Sequence, residues 1–375
     1  MKICILGNQS RSVSNFWTVL LNHIKQAGHT SLCCVPEDES PDEVAYREKL
    51  SVISTQLSTY PLARKGINPF VDARSLYCLY RLFVREKPDY LFATTIKPVI
   101  YGCLAAKWAH IPHIYATITG LGYTFERDSF AKQCIHILAK NLYKQALCHI
   151  DGVFFQNPDD VATFTQANIV DKKTRILMAR GTGVDTKHFA KANLLATDTI
   201  TFLFVGRLLY AKGLEEYVES AKIVRSQYPN TRFQILGPME EGFGGIPDAL
   251  LHQWQDEGNI EYLGATRDVR PFLTACHVLV LPSWREGTPT SVMEAMSMGR
   301  AAIVTDAPGC REVVVDGENG FIVPVRDPNQ LAKAMLRFVI NPSLIDAFGA
   351  KSRTMAETIF DADIVANKIL ADMGL

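Results

Sequence analysis

The sequence contains no paired-cysteine motif, no long uninterrupted apolar run and no low-complexity segment. Its nine cysteines are scattered and only Cys33 and Cys34 are adjacent, which is typical of reduced thiols and excludes a disulfide framework or a zinc site of paired cysteines. The apolar run at the N-terminus is too short for a signal peptide. The most apolar long stretch, residues 90–111, is interrupted by Lys97 and Lys107, so no segment is predicted to span a membrane.

Length and composition favour two domains. The chain has 375 residues, 47% of them hydrophobic, which is enough apolar material for two cores of ordinary size. The net charge is zero, but residues 1–195 carry a charge of +7 and residues 196–375 a charge of −7. The positive half suggests contact with an anionic partner, and chance segregation of surface charge is an equally good interpretation.

Short β-rich runs alternate with longer amphipathic runs in the first half of the chain. Helices are predicted near residues 14–27, 71–86, 98–109, 130–149 and 158–167, between strands at 2–6, 31–35, 90–94, 113–117, 152–156 and 175–179. Short apolar strands that alternate with helices indicate a parallel sheet covered on both faces.

The same alternation restarts after residues 186–199, a stretch without strong periodicity that is the predicted linker. Further strands are predicted at residues 200–205, 232–236, 260–263, 278–281 and 301–304. The fold class is therefore α/β with two doubly wound sheets, in which ligands bind beyond the carboxyl ends of the strands. The cleft between the two domains is the expected site.

The stretch 285–299, REGTPTSVMEAMSMG, follows a predicted strand and places Glu286 and Glu294 on either side of a helix start. Ser291 and Glu294 fit a capping box, which is a purely structural interpretation of Glu294. A helix start also offers free N–H groups that suit a phosphate, whereas carboxylates accept hydrogen bonds from sugar hydroxyls. The combination suggests a ligand that is part phosphate and part polyol.

A second motif, residues 206–213 with the sequence GRLLYAKG, also follows a predicted strand. Gly206 permits close backbone approach, and Arg207 and Lys212 place two cations at the strand end and the following helix start. A cation at a helix start is unfavourable unless an anion is present. Two charge-assisted contacts could hold a diphosphate without a metal, and a solvated turn with ordinary surface charges is the alternative.

The two motifs together, GR-x4-KG and then E-x7-E, resemble the retaining glycosyltransferases of family 4. These have the GT-B fold, two Rossmann-like domains that face each other across a cleft. Residues 181–185 with Phe189 are similar to a family segment that precedes the linker, and residues 262–264 to the turn beside the nucleotide base. The resemblance implies an acceptor-binding domain over residues 1–190, a nucleotide-sugar-binding domain over 191–355, and a C-terminal helix, 356–375, that packs back on the first domain.

A narrower resemblance lies mainly in the first half, at residues 68–70, 104–112 and 120–122, and again at 263–265 and 309–312. These segments are similar to a bacterial subgroup of N-acetylgalactosaminyltransferases that extend a sugar on undecaprenyl diphosphate, and to related enzymes of O-antigen and capsule assembly. The likeness implies a UDP-N-acetylhexosamine donor, GalNAc or GlcNAc, and a lipid-linked saccharide acceptor. A nucleic-acid partner is not expected.

The resemblance also implies a role for each residue of the site. Arg207 and Lys212 would hold the diphosphate and act in catalysis with Glu286, which would bind the donor sugar, while Glu294 would bind the ribose. The remaining donor-side residues would be Gly206, Leu263, Gly264, Gly287, Thr288, Thr290 and Ser291, and the acceptor-side residues Gly7, Ser14, Asn15, Thr119 and Gly120. The family retains the anomeric configuration.

No metal or other cofactor is expected. Asp361 and Asp363 spell the D-x-D metal motif of another glycosyltransferase fold, but they lie at the start of the last predicted helix, where acids favour the helix dipole. His110 and His113 are interpreted as core or surface histidines rather than general bases.

The predicted helix 71–86 groups Arg74, Tyr77, Arg81 and Arg85 on one side, away from Leu76, Leu79, Tyr80 and Phe83. An ordinary amphipathic helix is the simpler interpretation. The alternative is contact with anionic lipid headgroups or with the acceptor diphosphate, which would make the protein cytoplasmic and peripheral on the inner face of the cytoplasmic membrane.

Three other hypotheses stay open. The same chemistry could act on a soluble acceptor, or the chain could be an epimerase of the same fold. A non-enzymatic nucleotide-binding protein is the third, although no G-x-G-x-x-G fingerprint follows any predicted strand.

Overall fold

The chain forms two α/β units, each built around its own parallel sheet. A computed structural model describes residues 1–64, 66, 68–120, 130–194, 197, 199–240, 242 and 244–375, without the side chains of residues 130–136. The first unit contains Met1–Thr182 together with Ala362–Leu375, and the second contains Gly183–Asp361. Leu121 and Gly122 of the quoted motif 120–122 lie outside the described residues, as do positions 195, 196 and 198 of the predicted linker.

The chain passes from one unit to the other after Thr182 and again after Asp361. The boundaries expected from the sequence lay at 190/191 and 355/356. Residues after Thr182 belong to the second unit because Val184 forms a parallel bridge with Asp361 and is buried in the second core. Phe360 is buried in the same core, which keeps the chain in the second unit beyond residue 355. The last helix returns to the first unit.

The first unit has a seven-stranded sheet of order β3-β2-β1-β4-β5-β6-β7, in which every neighbouring pair is parallel. Its strands are β1 Lys2–Leu6, β2 Thr30–Pro36, β3 Gln56–Tyr60, β4 Tyr90–Thr94, β5 His113–Ile118, β6 Gly152–Phe155 and β7 Ile176–Met178. The central strands are almost fully buried, as the apolar runs predicted.

Helices cover both faces of this sheet. They are α1 Ser10–Phe16, α2 Thr18–Gln26, α3 Pro41–Ile53, α4 Pro69–Glu86, a π-helical turn Pro98–Gly102 that leads into α5 Cys103–Trp108, α6 Phe130–Leu147 and α7 Pro158–Gln166. Helices α1, α2 and α3 pack on one face, and α4 to α7 pack on the other. The last helix of the chain, Ala362–Met373, packs beside α2 on the first of these faces.

The second unit has a six-stranded parallel sheet of order β10-β9-β8-β11-β12-β13. Its strands are β8 Thr201–Val205, β9 Arg232–Leu236, β10 Glu261–Tyr262, β11 Val278–Leu281, β12 Ala301–Thr305 and β13 Gly320–Val323. Its helices are α8 Leu214–Gln227, α9 Asp248–Asp256, α10 Arg270–Ala275, α11 Thr290–Ser297, α12 Pro328–Ile340 and α13 Ser343–Thr358, and the returning helix is α14 Ala362–Met373. The predicted class of two doubly wound sheets is confirmed.

Two further observations concern the hydropathy of the helices and the state of the cysteines. Of the helices in the described residues, none combines the length and the hydropathy that a bilayer crossing requires. The cysteines in the same part of the chain are free thiols.

Candidate functional site

The loops after β8 and β11 bring Lys212 and Glu286 into contact at the carboxyl edge of the second sheet. Lys212 ends a short 3-10 turn, Tyr210–Lys212, and its Nζ donates a hydrogen bond to Oε1 of Glu286. The two side chains are only 20% and 14% exposed. Because little water reaches the pair, its charges interact more strongly than charges on an open surface.

Backbone contacts fix the relative position of these two loops. The N–H of Trp284 donates to the carbonyl of Ala211 at 2.9 Å, and the Ser283 hydroxyl donates to the same carbonyl at 3.2 Å. Gly213 has φ +73°, and a Cβ there would lie 2.1 Å from the carbonyl oxygen of Pro282. Only glycine therefore allows the loop that carries Lys212 to lie against the loop that carries Glu286.

A third loop, which contains Pro308 and Gly309, contacts the backbone of Glu286 and Gly287. The N–H of Glu286 donates to the carbonyl of Pro308 at 2.8 Å. Gly309 has φ +83°, and a Cβ there would lie 2.3 Å from the carbonyl oxygen of Gly287. Gly309 was quoted from the sequence only as part of the narrower resemblance, and its role in holding the backbone of Glu286 was not predicted.

Arg207 forms a different ion pair from Lys212. Its Nη1 lies 3.4 Å from Oε2 of Glu240, and its side chain is 57% exposed. An exposed pair at this distance contributes little to stability, at most about 1 kcal/mol. The guanidinium can therefore exchange Glu240 for an incoming anion at small cost.

Three glycines at the ends of neighbouring strands interlock beside Arg207. The N–H of Gly237 donates to the carbonyl of Gly264 at 2.9 Å, and a Cβ on Gly237 would lie 1.8 Å from the carbonyl oxygen of Gly206. Leu263, the residue before Gly264, is half-buried and donates its N–H to Ile235. The structure thus brings the predicted Gly206, Leu263 and Gly264 together. Gly237 was missed, although a glycine directly after an apolar strand is a signal for close backbone approach.

Helix α11 begins at Thr290, directly after Pro289, and no side chain caps it. The purely structural interpretation of Ser291 and Glu294 as a capping box is therefore wrong. It fails because Pro289 occupies the position before the helix, which moves Ser291 into the first turn. The first helical bonds are those that Val292 and Met293 donate to Pro289, so the amides of Thr290 and Ser291 have no partner within the helix.

Glu294 lies one turn inside α11 and is half-buried. Burial raises the pKa of its carboxyl group from 4.5 to about 8. No described residue donates a hydrogen bond to this carboxyl group. The Thr288 hydroxyl, at the turn before the helix, is likewise buried without a partner among the described residues. Both groups are suited to hydrogen bonds with a polyhydroxylated ligand.

The first unit has a cavity of about 220 Å³ at the carboxyl edge of its own sheet. It is lined by Asn8, Leu62, Arg64, Thr95, Ile96, Lys97, Thr119 and Gly120. Two of the predicted acceptor-side residues, Thr119 and Gly120, are therefore part of one cavity. Asn8, Arg64 and Thr95 were not predicted, and no sequence motif marks them.

The other predicted acceptor-side residues do not line this cavity. A Cβ on Gly7 would lie 2.3 Å from Cγ2 of Val13, so Gly7 allows α1 to pack on the end of β1. Ser14 is buried inside α1, whereas Asn15 is exposed. Packing alone accounts for the glycine.

The D-x-D motif is divided between the two units. Asp361 accepts a hydrogen bond from the Thr186 hydroxyl in the second unit, and Asp363 lies 2.8 Å from Nε2 of His23 in the first. Among the described residues no three His, Cys, Asp or Glu side chains form a group that could hold a metal ion. The two acids therefore anchor the start of α14.

His110 and His113, which the sequence analysis interpreted as core or surface histidines, lie beside β5. His113 stacks on Tyr90 with ring centroids 4.4 Å apart, and its Nδ1 lies 3.9 Å from a carboxylate oxygen of Asp151. His110 is exposed with φ +55°. Neither lines the cavity described above.

The outer face of α4 is basic and aromatic. Leu79 and Phe83 are buried in the core, whereas Arg74, Arg81 and Arg85 are exposed. The same face exposes Phe70, Tyr77 and Val84 at 86%, 57% and 42%. A cavity of about 390 Å³ opens beside Arg81 and Arg85, between α4 and the ends of β2 and β3.

Comparison with known proteins finds a glycosyltransferase family model in each half of the chain. The family model described as "Glycosyl transferases group 1" matches residues 199–341, and the model "Glycosyl transferase 4-like" matches residues 2–157. The N,N'-diacetylbacillosaminyl-diphospho-undecaprenol alpha-1,3-N-acetylgalactosaminyltransferase of Campylobacter jejuni is 26% identical over 99% of this chain and 97% of its own length. The UDP-Gal:alpha-D-GlcNAc-diphosphoundecaprenol alpha-1,3-galactosyltransferase of Escherichia coli is 27% identical over 74% of this chain and 73% of its own.

Solved structures share the fold along the whole chain. Anabaena HepE, solved in complex with UDP, superposes with a TM-score of 0.77 at 18% identity and covers 100% of both chains. Sucrose-phosphate synthase from Thermosynechococcus elongatus superposes with a TM-score of 0.80 at 17% identity, over 98% of this chain and 97% of its own. With both family models and these neighbours in agreement, the chain belongs to the family 4-type glycosyltransferases of the GT-B fold.

Proposed function

We propose that the protein transfers an N-acetylhexosamine, GalNAc or GlcNAc, from its UDP-sugar to a saccharide carried on polyprenyl diphosphate, in the assembly of a bacterial surface glycan or glycoprotein. The observation that carries the proposal is the contact between Lys212 and Glu286 beside the free amides of Thr290 and Ser291. This arrangement offers positive charge and N–H donors to a diphosphate, and carboxylates to sugar hydroxyls. Relatives named for diphospho-undecaprenol substrates support the lipid-linked acceptor.

Lys212 is the residue that stabilises the negative charge of the leaving group. Breaking the bond between sugar and phosphate places negative charge on the departing UDP, and a cation already held at that position lowers the barrier. In the free protein Glu286 balances the charge of Lys212. When the diphosphate binds, Lys212 gains a second anionic partner, and Glu286 can accept hydrogen bonds from the donor sugar.

Arg207 and Glu294 hold the two ends of the nucleotide diphosphate in this proposal. Arg207 leaves its exposed pair with Glu240 for a phosphate oxygen. Glu294, to whose carboxyl group no described residue donates a hydrogen bond, binds the ribose hydroxyls, with Leu263 and Gly264 beside the base. Gly206, Gly287 and Thr288 complete the donor site through their backbone and hydroxyl groups.

We further propose that transfer retains the anomeric configuration and needs no metal ion. The Glu286 carboxylate is engaged by Lys212, which lowers its nucleophilicity and favours attack by the acceptor on the face that the phosphate leaves. The leaving phosphate oxygen then accepts the proton of the acceptor hydroxyl. Arg207, Lys212 and the amides of α11 supply the charge stabilisation that a metal would otherwise provide.

The membrane is the proposed location of the reaction, on the inner face of the cytoplasmic membrane. The exposed stripe on α4 places Arg74, Arg81 and Arg85 beside Tyr77 and Phe70, and each cation near an anionic bilayer contributes about 1 kcal/mol to binding. Exposed aromatic side chains add apolar contact with the interface. Together they suit a peripheral protein that meets a lipid-linked substrate.

The decisive experiment supplies the protein with UDP-GalNAc, UDP-GlcNAc, UDP-galactose and UDP-glucose separately, and follows sugar release or transfer by mass spectrometry. We expect turnover of an N-acetylated donor. NMR of the product then shows whether the anomeric configuration of the transferred sugar is retained, as proposed, or inverted. Absence of UDP binding by calorimetry, together with no turnover of any donor, would overturn the proposed function.

A further inference from the structure

We propose that Trp284 is a positioning residue for sugar transfer, because its indole holds the loop that places the Glu286 carboxylate against the donor sugar. The indole is bound at its edge by Glu216 and at its face by Arg326. This inference rests on the proposed function, since the role of Glu286 comes from there. Trp284 directly precedes the stretch 285–299, and no role was expected for it from the sequence.

The edge of the indole is bound to helix α8. Nε1 of Trp284 donates a hydrogen bond to Oε1 of Glu216 at 3.0 Å. Glu216 lies in the first turn of α8, where the partial positive charge of the helix start favours a carboxylate. Its second oxygen, Oε2, is buried without a hydrogen-bond partner among the described residues. A hydrogen bond to an ionised acceptor is about twice as strong as one between neutral groups, so the contact fixes the edge of the ring.

The face of the indole is covered by a cation. The guanidinium carbon of Arg326 lies 3.9 Å from the centroid of the Trp284 ring, within the range of an attractive cation–π contact. Arg326 lies between β13 and α12. The next residue, Asp327, caps α12 by accepting a hydrogen bond from the N–H of Gln330 at 3.0 Å. The base of the Arg326 side chain is therefore attached to a fixed helix start.

Core packing does not account for the Trp284 side chain. Trp254, on α9, is 5% exposed and belongs to the apolar core of the second unit. Trp284 is half-buried and is not part of that core. Its partners are instead a carboxylate on α8 and a guanidinium next to α12. The indole thus joins the loop after β11 to the starts of two helices that pack against each other.

The loop that Trp284 holds carries Glu286 two residues further on. The backbone N–H of Trp284 donates to Ala211 and that of Glu286 donates to Pro308, so two amides fix the path of the chain. The indole adds a side-chain anchor that orients the segment between them. A displacement of about 1 Å in an active site can lower turnover by about 100-fold. Loosening the indole should therefore move the Glu286 carboxylate away from the donor sugar.

Loss of this anchor should lower kcat without weakening the binding of UDP. In the proposed function the diphosphate is held by Arg207, Lys212 and the amides of α11, to which the indole forms no hydrogen bond. Trp284→Phe keeps a ring for the cation but removes the N–H donor. We expect its kcat to fall by about tenfold or more, with the Kd of UDP within about twofold of wild type. Trp284→Leu, which also loses the ring, should lose at least as much.

Two variants of Glu216 test the hydrogen bond itself. Glu216→Gln retains a side-chain oxygen that accepts from the indole, so kcat should stay within about threefold of wild type. Glu216→Ala removes the acceptor and should match Trp284→Phe. Turnover is measured as release of UDP from UDP-GalNAc and from UDP-GlcNAc, and UDP binding is measured by calorimetry.

A double variant shows whether Trp284 acts through Glu286. When Glu286→Gln has already removed the carboxylate, adding Trp284→Phe should lower kcat by less than about twofold further, whereas two independent effects would multiply. Trp254→Phe is the matched control, since it makes the same change in the core of the same unit. It should lower the free energy of unfolding and leave kcat unchanged.

Hydrogen exchange reports on the loop without any substrate. Mass spectrometry of the peptide that covers residues 282–289 should show faster amide exchange in Trp284→Phe than in wild type or in Trp254→Phe. The amides concerned include those of residue 284 and Glu286, which are hydrogen-bonded in the wild type.

Four results would overturn the inference. They are a wild-type kcat in Trp284→Phe, a Kd for UDP that rises in step with the fall in kcat, independent effects in the double variant, and unchanged hydrogen exchange in the loop. Failure of the proposed function is recognised separately, because it would abolish UDP binding and donor turnover in the wild type. Intact binding and turnover with an insensitive Trp284 variant would remove only the positioning role.

Discussion

The ammonium group of Lys212 donates a hydrogen bond to the carboxylate of Glu286, a residue 74 positions further along the chain. Glycines make this contact possible, since Gly213 lets one loop lie against Pro282 and Gly309 supports the backbone of Glu286. The free protein therefore keeps a cation in place for an incoming diphosphate, with its charge balanced until the ligand arrives. Arg207, in contrast, remains exposed.

Replacing either member of this pair should lower turnover for different reasons. Lys212→Met removes charge that stabilises the leaving group, so we expect kcat to fall by at least about 100-fold, the loss typical of one such contact, and UDP to bind more weakly. Glu286→Gln removes a contact to the donor sugar, so kcat should fall while the affinity for UDP changes only a few-fold. Turnover and calorimetry with UDP measure the two effects. Wild-type kcat in Lys212→Met would contradict the proposed role.

The carboxyl group of Glu294 links stability to pH. Its pKa in the folded protein, about 8, lies above the ordinary value of 4.5. Between pH 4.5 and pH 8 the folded protein therefore keeps the proton on Glu294, whereas the unfolded chain has lost it. The free energy of unfolding consequently falls as pH rises through that range. A neutral side chain does not suffer this loss of stability. The Glu294→Gln variant should therefore be more stable than wild type at pH 8.5 by roughly 2–4 kcal/mol.

Urea unfolding at pH 5.5 and pH 8.5 measures this difference, which should be smaller at the lower pH. The same variant should bind UDP at least about tenfold more weakly, because it loses the carboxylate proposed to bind the ribose. Greater stability together with weaker binding is the combination expected of a group kept for function. Equal stability of the two proteins at both pH values would show that burial does not raise the pKa of Glu294.

Gly213 should be more sensitive to alanine than a glycine of similar backbone conformation elsewhere. Both Gly213 and Gly258 have positive φ, +73° and +71°, but a Cβ on Gly258 meets nothing within 4 Å. Gly258→Ala should cost about 1–2 kcal/mol for its conformation alone. Gly213→Ala adds a clash with the carbonyl of Pro282, so it should cost more and should also reduce turnover. Equal losses in both variants, measured by urea unfolding, would contradict the packing described for Gly213.

The stripe on α4 predicts salt-sensitive binding to anionic vesicles. Replacing Arg74, Arg81 and Arg85 together by glutamine removes about 3 kcal/mol of attraction, at about 1 kcal/mol for each cation, and should lower binding by about 100-fold. Flotation with vesicles containing phosphatidylglycerol, at low and high salt, measures the loss. UDP binding by the second unit should be unchanged.

A triple variant on the opposite helical layer is the matched control for this experiment. Lys25, Lys49 and Lys368 lie on α2, α3 and α14, and all three are exposed. Their replacement by glutamine removes the same total charge from the protein. An equal loss of flotation in both triple variants would assign the binding to net charge rather than to α4, and no flotation of the wild type would favour a soluble acceptor.

The acids of the D-x-D motif should be dispensable for chemistry. Asp363→Asn weakens the pair that Asp363 forms with His23. Because the Asp363 side chain is 48% exposed, the free energy of unfolding should change by less than about 1 kcal/mol. Turnover should stay near the wild-type value in this variant and in wild type treated with EDTA. A loss of activity that added Mg²⁺ or Mn²⁺ restores would overturn the proposal of metal-independent transfer.

The elements that were predicted well are those that are buried on both faces. Strands at 2–6, 90–94 and 278–281 have the predicted bounds, because continuous apolar runs are typical of central strands in parallel sheets. Strands β3 and β13 were missed. Both are edge strands, and the first is half-exposed and polar while the second begins with glycine. Propensity carries little information at such positions.

The donor-side residues were predicted from motifs, whereas most residues that line the cavity of the first unit were not, Thr119 and Gly120 excepted. Lys212 and Glu286 meet because each follows a strand of the same parallel sheet, which the alternation of elements indicates. Arg64, Asn8 and Thr95 lie in three separate segments with no common spacing. The positive φ of Thr95 is imposed by its surroundings, so the residue type gives no sign of it. The single predicted helix 14–27 is two helices that meet at Trp17.

The return of α14 to the first unit makes that unit discontinuous in the gene. Val365, Ile369 and Leu370 lie in the core that also holds Leu20 and Ile24 of α2, so a fragment ending at Thr182 would leave this apolar surface uncovered. A nonsense mutation near residue 360 would therefore damage the half of the protein that is translated first. Residues 183–361, by contrast, form an uninterrupted segment that could be expressed separately, and a circular permutant that joins α14 to Met1 would make the other half continuous as well.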